Sequence, residues 1–169
     1  MCIRDSGISL ARAIAKHLKS GYNTKLTSGQ TYGEAILTKT NIYAKLIGNL
    51  LEAGVNIHYI SNITGHGLRK VMRARGSYTY IIEKLFDPQE IFTFIQEQAN
   101  LNDKEIYGTY NMGQDYALFI PSKEVEKAQK IISKNMFESI VAGYIEKGPR
   151  QVIIKPKKIT FTSESLDLR

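Results

Sequence analysis

The residues of this chain that could carry chemistry gather in three stretches. The most informative is Asn62-Ile63-Thr64-Gly65-His66-Gly67. Two glycines let a backbone approach a ligand closely, Thr64 adds a hydroxyl, and the N–H groups exposed where a following helix begins favour an anion, phosphate above all. Arg69 and Lys70 sit within a turn and add positive charge. A Gly-x-Gly between strand and helix also serves as a plain tight turn. His66 lies inside the glycine loop and is the histidine placed to touch a ligand, whereas His17 and His58 lack metal-ligand spacing. The second stretch is Thr109-Tyr110-Asn111-Met112-Gly113. Asn111 can hold a left-handed turn or hydrogen-bond a ligand, and Met112 can fill the core. The third, Gly7-Ile8-Ser9-Leu10-Ala11-Arg12, reads as a helix start where Ser9 could receive an anion, or as an ordinary helix start. There is no Gly-x-Ser-x-Gly elbow and no Gly-Lys-Ser/Thr phosphate loop. No catalytic acid or base can be named from residue types, and no metal ligand set is expected.

Such residues need elements to hold them. Apolar residues at Ile8, Ala11, Ile14, Ala15 and Leu18 predict a helix to about Lys19, stopped by Gly21. Residues 21–33 read as loop. Asn41 is expected to cap a second helix, with Ile42, Leu46, Ile47, Leu50 and Leu51 as its apolar set and Gly54 as its stop. The alternation of Val55, Ile57 and Tyr59 predicts a strand over 55–61 that feeds the glycine loop, followed by a basic helical segment from Leu68 to about Ala74. A strand is expected over Tyr78 to Leu85. Asp87-Pro88-Gln89-Glu90 reads as a helix start with a capping box, and Asn102-Asp103-Lys104-Glu105 repeats that signal. A strand over Tyr116 to Ile120 stops at Pro121, and Ser122 is read as the cap of a helix with Val125, Ala128, Ile131 and Ile132 inward. Ile140 to Ile145 and Gln151 to Ile154 read as a final hairpin around Gly148-Pro149. The remainder reads as a polar tail with a short strand around Ile159-Thr160-Phe161. This mixture, without strict βαβ alternation, predicts an α+β fold: a layered α/β/α domain with a mixed sheet.

Composition narrows the class. The chain has 169 residues, 43% hydrophobic and 23% charged, enough to bury a core without staples. Its single cysteine, Cys2, excludes a disulfide framework and a cysteine zinc site. No apolar run approaches the roughly 20 residues of a membrane span, so no membrane partner is expected and the cytoplasm is the default location. The net charge of +7 fits a phosphorylated ligand or a solvated basic surface. No aromatic-interleaved RNA-binding signature accompanies it, so nucleic acid is the disfavoured partner. Residues 1–6, Met-Cys-Ile-Arg-Asp-Ser, are what a transposon-end sequencing adapter would encode, and are read as adapter-derived artefact; the natural sequence would then begin at about Gly7, inside a longer gene.

Taken in order, the motifs resemble the C-terminal half of the phosphoribosylformylglycinamidine cyclo-ligase (aminoimidazole ribonucleotide synthetase) family. Gly7 to Arg12 is similar to that family's SNG(Y/F)SLxR segment. Tyr32-Gly33-Glu34 with Leu37 to Tyr43 is similar to LGExLLxPTxIY, Asn62 to Gly67 to HITGGG, and Glu105 to Gly113 to EMxRTFNMG. The resemblance runs across nearly the whole chain from Gly7. It implies an AIR-synthase-like C-terminal domain over 7–156 with a tail over 157–169. It also implies a reaction of purine synthesis: the formyl oxygen of formylglycinamidine ribonucleotide is activated by ATP as an iminophosphate, the amine nitrogen attacks, phosphate leaves and the imidazole closes.

The same resemblance implies ATP and Mg2+ as cofactors, bound mainly by an N-terminal half this chain lacks, a ribonucleotide as small-molecule substrate, and a homodimer at full length. On that basis the chain by itself is expected to be inactive. Carried residue by residue, substrate or phosphate contact falls to Ser9, Arg12, Asn62, Thr64, Gly65, His66, Gly67, Thr109, Asn111 and Gly113. Departures are clear: Asn62 stands for the family histidine, His66 for the middle glycine, Lys39 for a proline, Gly108 for an arginine, and Gln114-Asp115 for small residues. They point to a divergent branch with His66 near the same site. Two alternatives stand beside this: a paralogue of the same ATP-binding superfamily with another substrate, and a non-catalytic module that binds a ligand or nucleic acid.

Overall fold

A computed structural model describes residues 7–166; residues 1–6, read as adapter-derived, and 167–169, the end of the expected tail, lie outside the described residues. The fold is α+β with a mixed sheet. In chain order the elements are α1 (Gly7–His17), α2 (Tyr32–Ile36), α3 (Ala44–Glu52), β1 (Tyr59–Asn62), a 3-10 segment (Gly67–Arg73), β2 (Tyr78–Ile82), α4 (Glu90–Gln98), α5 (Asp103–Tyr107), β3 (Tyr116–Phe119), α6 (Val125–Lys134), β4 (Gly143–Lys147), β5 (Gln151–Ile154) and β6 (Ile159–Thr162).

α1 forms because Ala11, Ile14 and Ala15 line one face and bury it, while Arg12, Ala13, Lys16 and His17 face outward. α2 begins in the last two residues of the stretch expected to be loop. Thr31 and Glu34 build a capping box around its start, and Tyr32 and Ala35 bury its other side. α3 and α6 pack together over a small cluster of Leu46, Leu50, Val55, Ala128 and Ile132. Gly54, at φ +71°, ends α3 as its sequence predicts. Ile42 and Leu51 stay exposed rather than joining that face.

β1 and β3 form a two-stranded antiparallel ladder with Asn62 opposite Tyr116. The other four strands form one sheet in the order β4-β2-β5-β6. Here the expected hairpin is corrected. β4 and β5 do not pair with each other, because β2 lies between them, antiparallel to β4 and parallel to β5. The connection at Gly148-Pro149-Arg150 arches around the start of β2. There Ser77 Oγ donates to the Gly148 carbonyl at 2.9 Å, Thr79 Oγ1 to the Pro149 carbonyl at 2.9 Å, and Arg150 Nη2 to the Gly76 carbonyl at 2.8 Å. The short strand expected around Thr160 forms as β6 and pairs along β5, burying Ile159 and Phe161.

Three expected caps are also corrected, the first two because the side chain found a partner elsewhere. Asn41 does not cap α3, which starts after Tyr43; its carboxamide donates to Asp115 at 2.9 Å. α4 starts at Glu90 with no side-chain cap, since the Glu90 carboxylate accepts the backbone N–H of Thr27 at 2.5 Å and of Ser28 at 3.2 Å. Ser122 opens a single 3-10 turn ahead of α6, and Glu124 accepts from the Asn56 backbone at 2.6 Å. The box at Asn102 and Glu105 forms as expected. The main core draws on α1, α2, α4, α5, the 3-10 segment and the four-stranded sheet, with Tyr32, Met72, Ile106, Val152 and Ile154 fully enclosed.

Candidate functional site

The glycine loop leaves β1 at Asn62. Ile63 anchors it, buried and with its N–H donating to the Asp115 carbonyl at 2.8 Å. His66 takes a left-handed conformation at φ 73°, and the Gly67 N–H closes the turn on the Thr64 carbonyl at 2.9 Å. That bond uses an amide which the sequence pattern had left for an anion. Gly67 itself is buried at φ +53°. A Cβ there would drive into the Tyr107 carbonyl and lie 2.7 Å from that of Tyr110. Its glycine character therefore serves the approach of another backbone segment.

That other segment is the second stretch. α5, held by its capping box, ends at Gly108, and Thr109 Oγ1 donates back to the Glu105 carbonyl at 2.9 Å. Asn111 shapes the turn: its Oδ1 accepts the Gly113 N–H at 3.3 Å and its Nδ2 donates to Asp115 at 2.8 Å. Met112, at φ 50°, is buried as the core alternative anticipated. Gly113, at φ +86°, brings the chain against Asp87, whose carbonyl a Cβ would meet at 2.8 Å. Beside it, Gln114 accepts from the Phe86 N–H at 3.1 Å and donates to the Phe86 carbonyl at 2.9 Å, clamping the 84–88 segment. That segment lines an open cleft of about 440 Å³ with Lys84, Phe86, Tyr107 and Lys157.

The start of α1 completes the arrangement. The Tyr110 hydroxyl donates to the Gly7 carbonyl at 2.5 Å, and the ring lies where a Gly7 side chain would be. Burial raises the Tyr110 hydroxyl well above its ordinary pKa, so it remains a donor. Tyr110 thus joins the helix that carries Ser9 to the turn that carries Thr109 and Asn111, and its backbone lies against Gly67. Arg12 is exposed on α1, and Asn62 and Thr64 are exposed at the end of β1 and in the loop.

Two cations beside the loop behave differently. Arg69 is structural: Nε donates to the carbonyls of Gly108 at 3.0 Å and His66 at 3.3 Å, Nη1 to that of Ser165 at 2.5 Å, and the guanidinium lies 5.8 Å from the Phe161 ring centre. Lys70 instead donates to the Thr64 hydroxyl. Its ammonium is held below the usual lysine range, first by burial and then by Arg73.

Sequence reasoning missed Asp115. Its carboxylate accepts from Asn41, from the Tyr43 hydroxyl at 2.9 Å and from Asn111, tying three separate segments together. Burial, with the nearby Asp115 charge, pushes Tyr43 up to about 12. Only its departure from the family pattern marked Asp115 in the sequence. Among the described residues no group of three or more His, Cys, Asp and Glu gathers. The site offers hydroxyls, carboxamides, an ammonium and one carboxylate, that of Asp115, which is already engaged by Asn41, Tyr43 and Asn111; a single engaged carboxylate does not fit Mg2+, whereas the hydroxyls and the ammonium fit a phosphate-bearing ligand. No helix among the described residues is long and apolar enough to cross a membrane.

The family model described as AIR synthase related protein, C-terminal domain, matches residues 4–155. The chain is similar to the phosphoribosylformylglycinamidine cyclo-ligase of Methanopyrus kandleri, 32% identical over 90% of this chain and 43% of that protein. It is 33% identical to the enzyme of that name from Methanococcus maripaludis strain C6, over 85% of this chain and 41% of the relative. For the one from Rippkaea orientalis the identity is 30%, over 90% and 46%. The chain spans less than half the length of these relatives. With its motif segments packed around Tyr110 and the family model matched over most of its length, the chain belongs to the AIR synthase related proteins, through their C-terminal domain.

Proposed function

We propose that this domain provides the ribonucleotide-holding half of a cyclo-ligase that converts formylglycinamidine ribonucleotide to aminoimidazole ribonucleotide in purine synthesis. The observation that carries the reading is the junction at Tyr110, which packs the α1 start, the Gly65–Gly67 loop and the Thr109–Gly113 turn against one another. ATP, when bound, would supply the phosphoryl group that makes the formyl oxygen a leaving group. This chain's own residues bind and orient. Thr64 and Lys70 offer a hydroxyl and an ammonium to an anionic group, and Ser9 and Thr109 offer hydroxyls near the junction. Gly65, His66 and Gly67 shape the loop, Asn111 and Gly113 shape the turn, and Arg12 and Asn62 stand at the exposed rim. Under this reading Mg2+, most ATP contacts and the dimer interface belong to the part of the relatives that this chain does not span, and the enzyme works in the cytoplasm.

Calorimetric titration tests it. Formylglycinamidine ribonucleotide should bind the chain, and its dephosphorylated nucleoside should bind at least about tenfold more weakly, the loss expected for one charge-assisted contact. Equal affinity for the two, or no binding, defeats the reading. The chain alone should hydrolyse no ATP in response to the ribonucleotide. Turnover by the chain alone would show that it is not a half-enzyme.

A further inference from the structure

The 3-10 segment Gly67–Arg73 buries Leu68, Val71 and Met72. With three residues per turn, positions three apart stack on one edge, so Lys70 and Arg73 share an edge of their own. Arg69 is spent on three carbonyls, leaving Lys70 and Arg73 as this segment's cations for a ligand. Lys70 is only partly exposed and sits on the Thr64 hydroxyl, a residue of the loop that links to the Tyr110 junction. Among the described residues no carboxylate is paired with Lys70 or Arg73. An ammonium drawn partly out of water, beside a second cation and with only a neutral hydroxyl as partner, is an unbalanced charge. An anion arriving there would relieve the repulsion and fill the remaining donors of the ammonium.

We propose that Lys70, seated on the Thr64 hydroxyl and backed by Arg73, is the group that receives a phosphate at this loop. Thr64 holds the ammonium toward the loop, and its hydroxyl can turn to donate to the same phosphate oxygen. Arg73, exposed at the rim, adds attraction at longer range. The lowered ammonium pKa agrees with a cation awaiting its counter-charge. This deepens the function proposed above, and rests on it only for the phosphate being that of a ribonucleotide.

The test titrates ribose 5-phosphate, ribose, ATP and formylglycinamidine ribonucleotide into the chain and its Lys70→Gln, Lys70→Arg and Arg73→Gln variants. Circular dichroism confirms that each is folded. Ribose 5-phosphate should bind and ribose should not. Lys70→Gln should lose about tenfold or more of the phosphate-dependent affinity, Lys70→Arg should retain most of it, and Arg73→Gln should lose about threefold, as a screened rim charge would. If Lys70→Gln does not fold, failure of Lys70→Arg to bind overturns the proposal in its place. Equal binding of ribose 5-phosphate by wild type and Lys70→Gln overturns it, as does the absence of any preference for the phosphate in wild type. Lys70-dependent binding of ATP in place of ribose 5-phosphate would assign the phosphate to a nucleotide triphosphate and keep the anion site. Ribonucleotide binding that ignores Lys70 sinks this proposal while the cyclo-ligase reading stands. Lys70-dependent ribose 5-phosphate binding without any added affinity for the formylglycinamidine ribonucleotide does the reverse.

Discussion

Gly67 occupies a position that no side chain fits, since its φ is positive and a Cβ would enter the Tyr107 carbonyl. Gly67→Ala should therefore cost about 3 kcal/mol of stability through backbone strain and overpacking, read as a lower urea midpoint. If that variant is as stable as wild type, the close approach is wrong. Asp115→Ala leaves the Tyr43 hydroxyl and two carboxamides without their shared acceptor. It should cost about 1–3 kcal/mol, and solvent exchange at Asn111 and Gly113 should speed up. At this scale the sequence showed where the loop was but not why. Gly-x-Gly after a strand marked residues 65–67 correctly, yet Gly67 answers to a backbone segment forty residues further on, which no local pattern reveals. Asp115 was invisible for the same reason, because its partners Asn41 and Tyr43 come from a different helix start.

Among elements, those with long apolar periodicity were legible and their caps were not. α1, α3 and α6 run close to their expected spans, because a stripe such as Leu46 and Leu50 has one way to be buried. Asn41 and Glu90 left their helix ends for carboxylate or backbone partners far away in sequence, and tertiary geometry decides that. Asn102 and Glu105 stayed local, and so their box was readable. Asn102→Ala should cost about 1 kcal/mol and loosen the Tyr110 junction that α5 supports, visible as faster hydrogen exchange at Tyr110. α5 also carries Asp103, whose carboxyl is held below its ordinary range by the Gln96 amide and then by Lys157, 3.1 Å away. A carboxyl lowered in the folded state adds stability above its unfolded pKa, and that contribution is lost as pH falls through the folded value. Asp103→Asn should accordingly flatten the fall in melting temperature below pH of about 4, and an unchanged acid limb would contradict this.

The molecule as a whole has two apolar clusters, the smaller lying under α3 and α6 against the β1–β3 ladder. Leu50, completely buried there, should cost about 2–5 kcal/mol as Leu50→Ala. Hydrogen exchange should show that loss first in α3 and α6, with β2 and β5 still protected; uniform loss would mean one cooperative unit. The α+β class and mixed sheet were readable from the order of elements, whereas the placing of β2 between β4 and β5 was not, because a short turn such as Gly148-Pro149 normally joins neighbours. That interposed strand also sets a timetable for synthesis. β2 is made well before either of its partners, β4 and β5. Until then Tyr80 and Ile81 have no ladder to join, and a nascent chain halted before Gly143 would present β2 as a bare strand to chaperones or to other chains. Synthesis of residues 143–154 is thus the step that commits the sheet, and chains stalled or clipped before it should be found aggregated or degraded rather than partly folded.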